Sequence, residues 1–159
     1  IFMQQVAHPE VTYNSRLSET GISLKCDRRQ VAQALTNLLQ NAADALTEAH
    51  QPDGEIEVSV LEEDGDAVIE ITDNGPGFPE EDQHRLTEPY VTHRDKGTGL
   101  GLAIVKKVME DHGGQLVLAR RTGGGASARL IFVPGASLGD GDPDIDVGKE
   151  KKEKVANHG

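Results

Sequence analysis

Asn37, Asn41 and Asp44 stand at i, i+4 and i+7. On an α-helix that spacing puts two amides and a carboxylate on one face. Asparagine is a mediocre helix former, because its side chain competes for backbone hydrogen bonds. The row reads either as a solvated polar stripe or as oxygen ligands for a metal-bound phosphate. Such ligands suit Mg²⁺, which keeps waters and leans on substrate phosphates. Asp73 is a second candidate. Ala67, Ile69 and Ile71 share one face of a strand, and period-two geometry places Asp73 on that same apolar face. A carboxylate there is costly unless something hydrogen-bonds it. It reads either as the cap of a turn at Asn74-Gly75 or as the acceptor for an exocyclic amine, with Gly75 and Gly77 letting a flat ring lie against bare backbone. The third candidate is Gly97-Thr98-Gly99-Leu100-Gly101-Leu102, which runs straight into an amphipathic helix. Free N–H groups and the positive end of the helix dipole suit an anion such as phosphate there.

The elements that must position these residues follow from periodicity. Ile1 to Glu10 has no clear period, and Ile22 to Cys26 alternates as a strand. Asp27 is a helix N-cap, with Gln30 three residues on as in a capping box. The helix from Arg28 to about Ala49 repeats Val31, Leu35, Leu38, Leu39, Ala42 and Leu46 on one face. Gln51-Pro52-Asp53-Gly54 is a turn, and strands follow over Glu55 to Leu61 and from Ala67 to Asp73. The polar stretch between the two glycine clusters reads as a lid over about residues 74–98 with glycine hinges. Leu102, Val105, Val108, Met109 and His112 line the next helix, which Gly113-Gly114 stops. Gln115 to Arg121 and Ser127 to Val133 form a hairpin around Thr122-Gly123-Gly124-Gly125-Ala126. The order predicts an α+β fold, a two-layer sandwich with helices on one face of a mixed, mostly antiparallel sheet. Residues 1–10 read as the end of an upstream linker or helix, 11–135 as one domain, and 136–159 as a charged, solvated tail.

Composition bounds the function. At 159 residues one domain is the prior. The formal charge of −11 argues against a nucleic-acid partner, though not against a nucleotide in a local pocket. Aromatics make up 3%, so the core must be aliphatic. Cys26 is alone and reads as a small buried residue rather than a nucleophile. No apolar run has the length of a membrane span, which points to a cytoplasmic segment. No Walker lysine follows the second glycine cluster, so P-loop chemistry is unsupported. The chain opens on Ile rather than Met, and is expected to be part of a longer protein.

Taken in order, these stretches resemble one family. Asn37-Leu38-Leu39-Gln40-Asn41-Ala42 resembles the N box of sensor histidine kinases. Asp73-Asn74-Gly75-Pro76-Gly77 resembles their first glycine box, and Glu88-Pro89-Tyr90-Val91-Thr92 their F box, with Tyr90 and Val91 where Phe is common. Gly97 to Leu102 resembles the second glycine box and Gly123-Gly124-Gly125 the third. The resemblance covers about Cys26 to Pro134. The superfamily shares this ATP-binding (Bergerat) fold with gyrase, Hsp90 and MutL. Asn41-Ala42-Ala43-Asp44-Ala45 together with Glu88 to Arg94 is similar to nitrogen-regulation sensor kinases of the NtrY type.

The resemblance implies ATP and Mg²⁺ as ligands and a role for each matching residue. Asn41 would bind Mg²⁺, with Asn37 a second contact. Asp73 would accept from the adenine amino group, bordered by Gly75 and Gly77. Gly97, Thr98, Gly99, Leu100, Gly101 and Leu102 would surround the phosphates, near Tyr90, Thr92 and Arg94. Ser127 would reach a water network beside the adenine. Asp44 stands where many kinases have Lys, which removes a cationic phosphate contact from this helix. Hydrolase members carry Glu at the first N-box position, where this chain has Asn37. That ranks an ATPase, and a non-catalytic domain that has lost its nucleotide, behind a kinase domain. The acceptor histidine is expected in a dimerisation domain outside this chain, because none of the six histidines sits in a His-Glu motif and His8 precedes Pro9 directly. Implied partners are that domain and a response-regulator receiver, with this piece monomeric and the full protein anchored in the inner membrane.

Overall fold

The computed structural model describes residues 8–78 and 100–134, together with the backbone of 145–146. A five-stranded sheet has the order β1-β3-β4-β6-β5, built from β1 (Thr12–Leu17), β3 (Glu55–Glu63), β4 (Asp66–Asp73), β5 (Gln115–Arg120) and β6 (Ala126–Phe132). β1 runs parallel to β3, and the remaining pairs are antiparallel. Two helices, α1 (Arg28–Glu48) and α2 (Gly101–Asp111), cover one face. The result is the expected two-layer α+β sandwich.

Cross-strand register explains which side chains meet the helices. Ile56 pairs with Asp73, Val58 with Ile71 and Val60 with Ile69. Ile71 in turn pairs with Ala128, Ile69 with Leu130 and Ala67 with Phe132. Period two turns all of these to the same side, where they pack on Val31, Ala34, Leu38, Ala42 and Leu46 of α1 and on Val105, Val108 and Met109 of α2. The opposite face is mixed, with Val68 buried beside Ile131 among polar side chains. Ser127 Oγ donates to Glu70 Oε1 at 2.8 Å, and Arg129 pairs with Glu63.

α1 begins as expected at Asp27, whose Oδ1 accepts from the backbone N–H groups of Arg29 and Gln30 at 3.0 and 3.1 Å. The capping box is incomplete, because Gln30 Oε1 is buried without a hydrogen-bond partner. β1 departs from the sequence-based elements. Thr-Tyr-Asn-Ser-Arg-Leu is an edge strand with only Tyr13 partly covered, so it carries no apolar alternation to reveal it. The strand expected over Ile22 to Cys26 is shorter, β2 (Ser23–Leu24), and stands outside the main sheet. It pairs antiparallel with β7 (Ile145–Asp146), two residues from the stretch expected to be a solvated tail.

Gly114 shows how tightly the sheet edge meets α2. A Cβ there would lie 2.4 Å from the carbonyl oxygen of Ile131 and 2.8 Å from Met109 Cε. Leu130, with no exposed surface, lies at the centre of the core. Leu130→Ala is expected to cost about 2–5 kcal/mol, and Val117→Ala, at an exposed position, within about 0.5 kcal/mol. Urea denaturation of the two variants checks this difference.

Candidate functional site

A hollow of about 70 Å³, partly open to solvent, lies between α1, the ends of β4 and β6, and the start of α2. Leu38, Asn41, Ala42 and Ala45 line it from α1, Ile71 and Asp73 from β4, Ala126 and Ala128 from β6, and Leu102 from α2. Gly77 and Phe78 close it from the turn after β4. The wall is largely aliphatic, and Asp73 is the one carboxylate among these lining residues.

Asp73 ends β4 on the helix-facing side and is 6% exposed. Its Oδ1 accepts from the N–H of Gly75 at 2.9 Å and of Ala126 at 3.3 Å. The turn-capping role read from the sequence is therefore present, and it occupies Oδ1. Burial raises the carboxyl above its ordinary value, opposed by the two backbone hydrogen bonds and by the nearby Arg121 guanidinium. Arg121 Nη1 also donates to the Asp73 carbonyl at 3.0 Å.

The glycines here are dictated by contact. Gly125 has φ +103°, and a Cβ on it would lie 1.9 Å from the Asp73 carbonyl oxygen. Gly77 has φ +79°, and its Cβ would meet the Gly125 carbonyl at 2.8 Å. The first and third glycine clusters thus press backbone against backbone beside the carboxylate, an approach only glycine permits. A Cβ on Gly75 would stand 3.1 Å from both Asp73 Oδ1 and Leu46 Cδ2. Asn74 fastens the turn from outside. Its Oδ1 accepts from Glu55 N at 2.8 Å, and its Nδ2 donates to Asp53 O at 2.8 Å.

At the far end, the row on α1 meets α2. Asn37 Nδ2 donates to the Gly101 carbonyl at 3.4 Å. The Asn41 amide lies 3.7 Å from where a Gly101 Cβ would be. Leu100, the N-cap of α2, makes no side-chain capping bond. A helix start without a capping side chain is suited to an anionic ligand.

Other expected site residues are placed differently. Asp44 is not among the residues lining the hollow. Its Oδ1 accepts from Gln40 Nε2 at 2.8 Å and lies 3.5 Å from His8 Nε2. Ser127 is on the opposite sheet face, bonded to Glu70, and its neighbours Ala126 and Ala128 point into the hollow. The alternation of Leu130 and Phe132 with Arg129 already carried that signal. Ala126 and Phe78 were not singled out from sequence, since small and apolar residues carry no chemical signature. Tyr90, Thr92, Arg94, Gly97, Thr98 and Gly99 lie outside the described residues. Cys26 is fully buried, and burial pushes its thiol up, which suits an inert core residue.

Residues 26–136 match the family described as histidine kinase-, DNA gyrase B-, and HSP90-like ATPase. Over 122 residues the chain is 52% identical to the nitrogen regulation protein NtrY of Azorhizobium caulinodans, covering 74% of this chain and 16% of that protein. It is 37% identical over 129 residues to a putative sensor histidine kinase, NtrY-like, of Rickettsia bellii, covering 81% of this chain and 21% of that one. The chain therefore spans about a sixth to a fifth of these relatives' length. Among solved structures it is similar to the mycobacterial sensor histidine kinase MprB, with a TM-score of 0.72 and 26% identity over 82% of this chain and 88% of that chain. The catalytic domain of the histidine kinase ThkA, in a nucleotide-free form, gives 0.70 and 27% over 83% and 84%. With its first and third glycine clusters closing on Asp73 and its asparagine-bearing helix lining the same hollow, the chain belongs to the histidine kinase-, DNA gyrase B-, and HSP90-like ATPase family.

Proposed function

We propose that this chain holds Mg-ATP in the hollow and presents its γ-phosphate to a histidine in a separate dimerisation domain of the same protein. The observation that carries this reading is the buried Asp73 carboxylate at one end of an aliphatic slot whose other end is Asn41 beside the start of α2. A purine ring fills the slot between Ala126, Ala128 and the Gly75–Gly77 turn. Asp73, with Oδ1 taken by the backbone, accepts from the exocyclic amine through Oδ2. The start of α2 faces the phosphates, and residues of the second glycine cluster are proposed contacts for them. The F-box residues Tyr90, Thr92 and Arg94 are proposed contacts on the same side.

Mg²⁺ fits the donors at that end. No group of three or more His, Cys, Asp or Glu able to hold a metal exists among the described residues. Amide oxygens of Asn41 and Asn37 would hold a cation that arrives with the phosphates. Bound there, it would neutralise phosphate charge. The chain's own part is to position the ligand and exclude water, which is most of what phosphoryl transfer asks of a protein. Asp44, held by Gln40 and His8, would act at the edge of this site rather than on phosphate. No carboxylate on α1 lines the hollow to activate water, so fast hydrolysis is not favoured.

The larger assignments rest on the family and the relatives. They are a receiver domain as phosphate acceptor downstream, nitrogen-linked signalling, and a membrane anchor elsewhere in the protein. No helix among the described residues is long and apolar enough to cross a membrane.

Asp73→Asn separates binding from folding. The Asp73 carboxyl is raised in the folded state, so between the unfolded value of 3.8 and the folded value the native chain binds more protons than the unfolded one. That contribution to stability is present below pH 3.8 and lost as pH rises through the window. Asparagine keeps Oδ1 as acceptor and removes the buried charge. The variant is expected to be at least as stable as wild type at pH 7, with its advantage shrinking on acidification, measured by urea denaturation at several pH values. Its affinity for ATP in calorimetry should fall on the order of 10- to 100-fold, since an amide N–H now faces the purine amine. A variant that still binds as wild type would refute the purine assignment. Incubation of the chain with γ-labelled ATP should leave no stable phosphate on it, and labelled protein on a gel would contradict the acceptor's placement elsewhere.

A further inference from the structure

The incomplete capping box at the start of α1 has a replacement. The Asp27 N–H, which Gln30 would accept in a closed box, donates instead to Nε2 of His112 at 2.9 Å. His112 is 4% exposed and caps the C-terminus of α2. Its Nδ1 lies 2.7 Å from the Val108 carbonyl oxygen. That carbonyl can only accept and the Asp27 amide can only donate. Both bonds therefore form with one state of the ring, the neutral imidazole with its proton on Nδ1. Phe132 meets the ring edge-on, with centroids 6.3 Å apart and planes at 89°.

This contact joins the two helices that form the proposed phosphate end of the hollow. α1 carries Asn37 and Asn41, and α2 starts at Gly101. Hydrogen bonds link the helices from His112 to Asp27 at one end and from Asn37 to Gly101 at the other. At about 1.5 Å per residue, Asp27 and Asn41 lie about 21 Å apart along α1. Core packing of Val31, Ala34 and Leu38 still holds α1, but loss of the far bond removes a directional restraint, and the gap between Asn41 and the α2 N-terminus is then set less tightly. Binding geometry is sensitive to displacements of that kind.

We propose that His112 is a positioning residue for the nucleotide site, setting the spacing of the asparagine-bearing helix from the α2 N-terminus through the Asp27 amide. The inference rests on the nucleotide reading of the hollow. It assigns work to a residue that the sequence presents only as a helix end.

The test compares the affinity for Mg-ADP with thermal stability in three variants of the chain. His112→Phe keeps the ring's bulk and its contact with Phe132 but can neither accept from Asp27 nor donate to Val108. Its Kd for Mg-ADP should rise on the order of tenfold. His112→Gln retains an acceptor for the Asp27 amide and should recover part of that loss. Val68→Ala opens a cavity at a fully buried residue whose register places it on the sheet face away from both helices. It should lower Tm while leaving Kd within about twofold. A long-range ¹⁵N–¹H spectrum should show the His112 ring protonated at Nδ1 and bare at Nε2. Wild-type affinity in His112→Phe, or losses of affinity that track Tm equally in His112→Phe and Val68→Ala, would overturn the proposal. A ring protonated at Nε2 would remove its hydrogen-bond basis. If the wild-type chain itself binds no Mg-ADP, the nucleotide reading fails first and this inference with it.

Discussion

A carboxylate buried beside aliphatic side chains is the constraint around which the rest of this domain is arranged. Asp73 could not remain in that position unless its charge were answered, and the backbone answers it. The N–H groups of Gly75 and Ala126 converge on Oδ1. Their convergence requires the turn after β4 and the start of β6 to close on each other, and that closure is possible only because Gly125 and Gly77 have no side chains. Gly125 of the third glycine cluster, remote in sequence, is thus a packing requirement of the acid, whereas Gly123 and Gly124 meet nothing within 4 Å and serve the turn.

That arrangement leaves the acid half used. Oδ1 is spent on the backbone, and the side of Asp73 toward the hollow belongs to whatever enters it. A protein built only for stability would gain by replacing such a group with an apolar one. The raised carboxyl is the energetic trace of that cost. Loss of stability at a place that organises a cavity is a common mark of a binding site. The other end of the hollow follows a parallel logic, because the N-cap of α2 is Leu100, whose side chain makes no capping bond, and asparagines of α1 stand beside it.

Much of this was legible in the residues. α1 announces itself by apolar spacing and by the Asp27 cap, and the hairpin by alternation around Gly123 to Gly125. The inward direction of Asp73 follows from counting along Ala67, Ile69 and Ile71. Where reading failed, the missing information was of one kind. β1 is a polar edge strand whose place depends on a parallel partner, β3, reached only after a helix intervenes. Ser127 was legible in principle from the apolar neighbours Leu130 and Phe132, but proximity to a glycine cluster suggested the wrong face.

The sequence by itself determined both helices, the strands from Glu55 to Asp73 and the final hairpin, the family and the inward-facing acid, because each depends on periodicities and turn chemistry within a few residues. Tertiary structure decided which groups actually meet. It gave the Asp27 amide to His112 instead of to Gln30, tied Asp44 to Gln40 and His8 beside the hollow, and turned Ala126 rather than Ser127 toward the site. The physical reason is that a hydrogen bond goes to whichever partner is closest in the folded chain. Separation along the chain, as between Asp27 and His112, carries no signal of that proximity.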